Sequence, residues 1–277
     1  MKKSTLLILI LLIIVILMLT FLVYYYNKFY KFYRNLYYDE CYVNKNRLKY
    51  LKNVKVQYIN NPLFQTYHNK NKIPSDIYEN VKKYAPDYTH IIMDDNDIKN
   101  FLKTYYNDIV LQTFNSLKIG AHKADLARYC LLYIYGGLYM DIKVELIKPL
   151  RDIFNKGDDI FYSVESNFAD HIHQAVIKSP KNNEIFLSLI DYIVKTGNPL
   201  FYIDFCRDLY IQILSDTNKI KTGFLAGNKK YYLLKEKCSS TDKSVCYDGF
   251  DRYGLCCFIW DDKEPVIKSR RSSYPWK

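Results

Sequence analysis

The stretch running from His122 to Asp141, HKADLARYCLLYIYGGLYMD, constrains the fold more than any other part of the chain. Apolar side chains at Ala124, Leu126, Ala127, Cys130, Leu131, Leu132 and Ile134 cover most of the circumference of a helix over 122–135. A helix that is apolar on most sides lies inside a protein rather than on its surface. Gly136-Gly137 ends it, because glycine enters the left-handed region after a helix at no steric cost. Leu138, Tyr139 and Met140 then read as a buried strand that stops at Asp141. In open α/β sheets ligands gather beyond the carboxyl ends of the strands, so a carboxylate there is placed to meet one.

The flanking sequence alternates strand and helix. NVKVQYI, from Asn53, alternates β-branched and polar residues as a half-buried strand does, and THIIM reads as a second strand. Helices are expected over IPSDIYENVKKY and DDNDIKNFLKTYY, the latter with an acidic first turn made by Asp94, Asp95 and Asp97. Downstream, DDIFYSV and YGLCCFIW read as strands, NNEIFLSLIDYIVK and LFYIDFCRDLYIQIL as helices. This alternation predicts an α/β domain with a mainly parallel central sheet.

Ahead of it, Leu6 to Val23 is an uncharged run of eighteen residues in which Thr20 alone is polar. About 20 apolar residues span a bilayer as a helix. Lys2 and Lys3 precede the run, Tyr24, Tyr25 and Tyr26 follow it, and no small-residue cleavage site ends it. The expected layout is a cytoplasmic tip and signal anchor over 1–26, a basic aromatic stem over 27–52, and a globular domain over 53–277. The large body after a short tip fits a single-pass type II protein with that body in a lumen.

The formal net charge of +11 admits nucleic acid, a membrane surface or an anionic substrate as partner. Nucleic acid is disfavoured, because the basic residues are dispersed and no recognition motif is present. Among the seven cysteines, Cys238 and Cys246 flank a polar loop and are candidates to pair, while no spacing suggests zinc.

Asp125 and Arg128 stand three residues apart and share one helix face. Charges on so apolar a helix need partners. Two readings stand. One is a structural ion pair, of Arg128 with Asp125 or with Asp141. The other is a polar cluster facing a ligand with hydroxyls and phosphates, where guanidinium forks grip phosphate and carboxylates accept from sugar hydroxyls.

His122, Asp125, Arg128-Tyr129, Tyr135-Gly136-Gly137, Tyr139 and Asp141 follow one another in an order and spacing that resembles the DXD sugar-binding region of the family 32 glycosyltransferases. That family includes initiating α-1,6-mannosyltransferases, inositolphosphoceramide mannosyltransferases and bacterial capsule transferases. Gln65-Thr66-Tyr67, Pro74 and Pro86-Asp87-Tyr88 upstream, and IHQAVIKSPKNNEIF downstream, extend the resemblance over roughly 60–195. The resemblance implies a GT-A fold, a GDP- or UDP-sugar donor, a glycan, glycolipid or polysaccharide acceptor, and transfer of mannose or another hexose with retention. It puts Asp125, Arg128, Gly136, Gly137, Tyr139 and Asp141 around the nucleotide-sugar, with Asp141, Lys143 and Arg128 at the chemistry. It puts His173 and Gln174 on the acceptor side, and it makes Arg270, Arg271, Ser273 and Trp276 a C-terminal clasp over the nucleotide.

One departure matters. The second acid of the DXD pair, which in the family holds Mn²⁺ or Mg²⁺, is Lys143 here. An ammonium cannot ligate a hard cation. Either Lys143 neutralises the diphosphate itself and metal is dispensable, or a metal is held by Asp141, the phosphates and another acid such as Glu145 or Asp261, or the site is dead and the chain is a binding protein on a degenerate transferase fold.

Overall fold

The computed structural model describes residues 12–26, 49–167, 171–198, 205–206, 209, 213, 223–225, 228–242 and 254–270. The chain divides into two compact units, Met1–Asn46 and Arg47–Lys277. In the first, residues 12–26 form a helix, α1, whose side chains are exposed. Among the described residues no helix is long and apolar enough to cross a membrane. The apolar run expected to do so is described only from Leu12 onward.

The second unit is built on a mixed sheet. Its strands are β1 (Pro62–Thr66), β2 (Thr89–Met93), β3 (Gly137–Met140), β4 (Glu145–Leu146), β5 (Phe161–Glu165), β6 (Val176–Ser179), β7 (Gly223–Leu225), β8 (Asn228–Ser239), β9 (Cys256–Trp260) and β10 (Pro265–Lys268). The order across the sheet is β2-β1-β3-β6-β5-β8-β9-β10-β4, with β7 paired to β8. Helices α2 (Ser75–Tyr84), α3 (Asp95–Tyr105), α4 (Asp108–Ser116), α5 (Gly120–Tyr135), α6 (Leu150–Ile153) and α7 (Glu184–Thr196) cover it.

The expectation of a mainly parallel sheet is corrected. β1 runs parallel to β2 and β3, and β5 to β8, while the other pairings are antiparallel. The strand–helix alternation that favours parallel strands stops after β3. From there β5 turns back into β6 without a crossover helix, and β8, β9 and β10 follow as a meander. The strand expected over NVKVQYI is also absent. Val54, Val56 and Tyr58 are exposed, and the first strand is PLFQT. Alternation marks a strand with one wet face. The central sheet here is dry on both, and β1 buries Leu63 and Phe64 in succession.

Two cores follow from that. Phe64 and Tyr139 face one packed by α3, α4, α5 and α7. Leu63, Leu138 and Met140 face the other, with Val81 of α2 and Leu150 of α6. As its composition requires, α5 lies inside, packed against α7, β1 and β3. Tyr106 on one side donates to the Cys130 carbonyl at 2.9 Å. Gly136 and Gly137 both have positive φ, 66° and 86°. A Cβ on Gly137 would sit 2.4 Å from the Pro62 carbonyl oxygen, and one on Gly136 2.6 Å from the Lys181 nitrogen. The glycine pair thus lets β3 leave α5 and lie directly beside β1.

Residues 49–52 pack into this unit too. Asn107 Nδ2 donates to the Lys49 carbonyl, and the Tyr50 hydroxyl donates to the buried Asp191 carboxylate. Between β8 and β9, Cys238 lies opposite Cys257 and is disulfide-bonded to it rather than to Cys246.

Candidate functional site

Thr66, Met93 and Asp141, at or just past the carboxyl ends of the parallel strands β1, β2 and β3, open onto one cavity of about 820 Å³. That volume lies in the usual range for a small-molecule site. The first turns of α5 form a second wall, through Gly120, Ala121, Lys123 and Asp125. The segment leading into β6 forms a third, through His173, Gln174 and Ala175.

Arg128 is the hub. Its Nη1 lies 3.0 Å from Asp125 Oδ1 and donates to the Gln174 carbonyl at 2.9 Å, and its Nη2 lies 3.1 Å from Asp141 Oδ1. The guanidinium sits 4.6 Å above the centre of the Tyr139 ring, a cation–π arrangement. Tyr139 in turn shares a 2.8 Å hydrogen bond with Thr66. The ion pairs of the first reading are present, with Asp125 and with Asp141. Arg128 is buried and engaged on both terminal nitrogens, yet the cluster it organises lines the cavity.

The electrostatics follow from burial and pairing. Burial pushes the Asp125 carboxyl up to about 6, with Arg128 opposing the shift. Burial also opposes ionisation of Asp141, but Arg128, Lys143 and His173 outweigh it and hold its pKa below the usual carboxylate range. Burial acts against the Arg128 charge, and Asp125, Tyr139 and Asp141 more than restore it. Burial lifts the Tyr139 hydroxyl well above its ordinary range. At neutral pH the site is an ionised Asp141 between two cations.

Lys143 differs from Arg128. Its Nζ lies 3.5 Å from Asp141 Oδ2, and its side chain keeps about a fifth of its exposure at the cavity. Both Asp141 oxygens thus already face cations. Among the described residues Asp141 joins no cluster of three acidic, His or Cys ligand atoms. Asp125 is bound to Arg128, and Asp95 across the cavity is bound to Lys123 at 3.0 Å. Glu145 on β4 does not line the cavity, and Asp261 caps the β9–β10 turn by accepting from Lys263 and Glu264. Among the described residues the donor set around Asp141 does not fit a divalent cation. Glu236, Cys238 and Cys257 do converge, but the two sulfurs are bonded to each other and cannot act as thiolates.

Of the other residues singled out in sequence, Gly136 and Gly137 do not line the cavity, because their tight contacts are to Lys181 and Pro62. Arg270 does line it, while Arg271, Ser273 and Trp276 lie outside the described residues. The acidic run at α3 is mainly a cap: Asp94 accepts from Asp97 N, and Asp97 accepts from Asp94 N. Sequence reasoning missed Tyr67 and His68, whose rings lie 4.4 Å apart on the cavity wall, and Glu236, which stands behind His173. The first pair continues a segment already flagged by resemblance. Glu236 gave no signal, being one acid in a long charged strand.

Residues 74–160 match the family model described as the glycosyltransferase sugar-binding region containing the DXD motif. The chain thus carries a glycosyltransferase sugar-binding region over those residues, about a third of its length. Its relatives include an uncharacterized glycosyltransferase, L373, of Acanthamoeba polyphaga mimivirus, 34% identical over 44% of this chain and 49% of the relative. Inositol phosphoceramide mannosyltransferase 1 of Schizosaccharomyces pombe is 27% identical over 68% of this chain and 60% of the relative. The initiation-specific alpha-1,6-mannosyltransferase of Saccharomyces cerevisiae is 39% identical over 24% of this chain and 14% of the relative. The chain thus spans about half of the first relative's length and three fifths of the second's. The matched region contains α5, β3 and both members of the Asp141–Lys143 pair.

Proposed function

We propose that the chain is a membrane-anchored glycosyltransferase with a GT-A catalytic domain. It moves a hexose from a GDP- or UDP-sugar to a glycan, lipid or polysaccharide acceptor, with retention of configuration. Mannose is the first sugar to test, since two of the relatives are named mannosyltransferases. The observation that carries the reading is Asp141, held between Arg128 and Lys143 on the wall of a nucleotide-sized cavity.

In this reading Asp141 and Asp125 accept from sugar and ribose hydroxyls, and Arg128 fixes both carboxylates in place. Lys143 takes the role that a metal plays elsewhere. As the sugar–phosphate bond breaks, negative charge builds on the diphosphate, and a cation fixed beside it stabilises that charge without reorganising. The first turn of α5, which has no side-chain cap, adds its backbone N–H groups to the same wall. The apolar run over 6–23 anchors the chain through 1–26, a stem follows over 27–52, and 53–277 does the chemistry. The Cys238–Cys257 disulfide favours an oxidising, luminal compartment for that domain.

A second reading is a binding protein on a degenerate transferase fold, favoured by the same lysine in place of an acid. The deciding experiment incubates the purified full-length chain with GDP-mannose, UDP-glucose, UDP-galactose and UDP-N-acetylglucosamine, with EDTA or with Mn²⁺. Release of GDP or UDP that survives EDTA is expected. No release from any donor in either condition would establish the binding protein instead.

A further inference from the structure

The carboxyl ends of β2 and β3 are separated by β1. Neighbouring strands lie about 4.8 Å apart, so groups at those two ends stand about 10 Å apart. At the β3 end are Asp141 and Lys143, where the proposed mechanism puts the diphosphate. At the β2 end the cavity wall has a different character.

Three acids open α3, and they do different work. Asp94 and Asp97 cap each other, and both face Lys70, at 3.7 and 2.6 Å. Neither lines the cavity. Asp95 does, and its Oδ2 lies 3.0 Å from Nζ of Lys123, which comes from the first turn of α5 and lines the cavity too. Both side chains keep accessible surface, 38% for Asp95 and 24% for Lys123. An ion pair that open to water adds little to stability. The Lys123 ammonium also lies 5.3 Å over the Phe114 ring. With Phe114, the side chains of Met93, Ile98 and Ala121 make this wall apolar. Tyr67 stands beside it, because its backbone N–H donates to the Met93 carbonyl at 3.1 Å. Its ring and that of His68, 4.4 Å apart, both belong to the cavity.

A flat heteroaromatic ring suits such a wall. Apolar and aromatic side chains cover its faces, and the carboxylate and ammonium read its edge. The pair offers an ammonium donor next to a carboxylate whose two oxygens have lone pairs to spare. Guanine presents the matching order along one edge: the O6 acceptor, the N1–H donor and the N2–H donor. Uracil presents the O4 acceptor, the N3–H donor and the O2 acceptor. Its O2 would face a carboxylate oxygen, and two acceptors repel.

We infer that Asp95 and Lys123 select guanine, so that the donor is a GDP-sugar. This rests on the transferase reading above and narrows its donor class. Lys123 donates to O6, and Asp95 accepts from N1–H and N2–H, while the ring packs against the apolar wall and the diphosphate reaches Lys143.

The test measures binding of GDP, UDP, inosine diphosphate and xanthosine diphosphate to the purified full-length chain by titration calorimetry. Nucleotide release from the donor panel is run beside it. GDP is expected to bind about 10- to 100-fold more tightly than UDP, the worth of one or two hydrogen bonds to a charged group. Inosine diphosphate, which lacks the 2-amino group, is expected to bind about tenfold more weakly than GDP. Asp95→Asn exchanges an acceptor for a donor. It is expected to weaken GDP about tenfold and to tighten xanthosine diphosphate, which carries an oxygen in place of that amino group. An ion pair that only joined α3 to α5 would give no such exchange. UDP binding within threefold of GDP overturns the inference and leaves the transferase reading standing. Release from UDP-sugars alone, or an Asp95→Asn chain that weakens every nucleotide alike, does the same. The comparison of GDP with UDP on the wild-type chain decides the matter if the variant does not fold. A GDP preference with no release from any donor defeats the transferase reading and leaves the guanine selection in place.

Discussion

Lys143→Met tests the proposed mechanism most directly, because it removes a charge and keeps the side chain's length. Lys143 Nζ lies 3.5 Å from an Asp141 oxygen. A phosphate oxygen at a similar distance would interact with it by about 5 kcal/mol at an effective dielectric of about 20. Asp141 already compensates part of that cation, and the side chain is 21% exposed, so screening reduces the figure further. About 2–4 kcal/mol of transition-state stabilisation remains, the range seen when one preorganised group facing a developing anion is deleted. That corresponds to a fall of about 30- to 900-fold in turnover. The assay is GDP or UDP release at saturating donor, run in EDTA and again in Mn²⁺. Wild type is expected to be indifferent to EDTA, Lys143→Met to be slow in both, and Lys143→Asp to become active only with Mn²⁺. Wild-type activity that disappears in EDTA, or a Lys143→Met rate within threefold of wild type, would refute the reasoning.

Other perturbations address separate parts of the structure. Gly137→Ala puts a Cβ 2.4 Å from the Pro62 carbonyl at φ 86°, so left-handed strain and overpacking together should cost about 2–5 kcal/mol and lower Tm by about 5–15 °C in a thermal melt. Its effect should fall on stability and spare nucleotide affinity; the opposite pattern would make the glycine a ligand contact. Because burial raises Asp125 to about 6, above its unfolded value of about 3.9, its ionised form is disfavoured by folding. Its contribution to stability is therefore full below about pH 4 and is lost as pH rises through about 6, and turnover that needs the carboxylate should fall as pH drops through about 6. Asp125→Asn should abolish that acid limb, read from a pH–rate profile. Reducing the Cys238–Cys257 bridge, which closes a loop of 19 residues, should cost about 3 kcal/mol, measurable as a denaturation midpoint shift with and without reductant.

The part of this molecule that was legible in sequence is the part governed by local rules. The periodicity of 122–135 announced a buried helix, Gly136-Gly137 its end, and LYM a strand with a carboxylate beyond it, and all three stand in α5 and β3. What local rules do not encode is which strands become neighbours. β3 pairs antiparallel with β6, and β8 inserts beside β5, through contacts between residues far apart in the chain. That is why the sheet was expected to be mainly parallel, and why Glu236 went unnoticed: its place behind His173 exists only because β8 lies next to β5. The NVKVQYI strand failed for a related reason, since alternation identifies a half-wet strand only where another strand pairs with it, and residues 53–59 pair with none among the described residues.

The charge balance explains why the Asp141–Lys143 departure need not mean a dead site. With an acid at position 143, the cluster of Asp125, Arg128, Asp141 and that acid would carry two surplus negative charges, which a divalent cation neutralises. With lysine there, Asp125 and Asp141 stand against Arg128 and Lys143, and the cluster is balanced with no ion added. Exchanging a carboxylate for an ammonium changes the local charge by the same two units that binding Mn²⁺ or Mg²⁺ would. In the transferase reading proposed above, a diphosphate would meet a wall of similar net charge in either case, but here the cation is covalently part of the chain. A fixed ammonium costs no ion-binding equilibrium, and it offers a point charge without the geometry of a metal's coordination sphere. Such a site should lose rate with changes at position 143 rather than with chelators. A residue that merely marked decay would have no reason to lie in ion-pair contact with the one acid the motif retains.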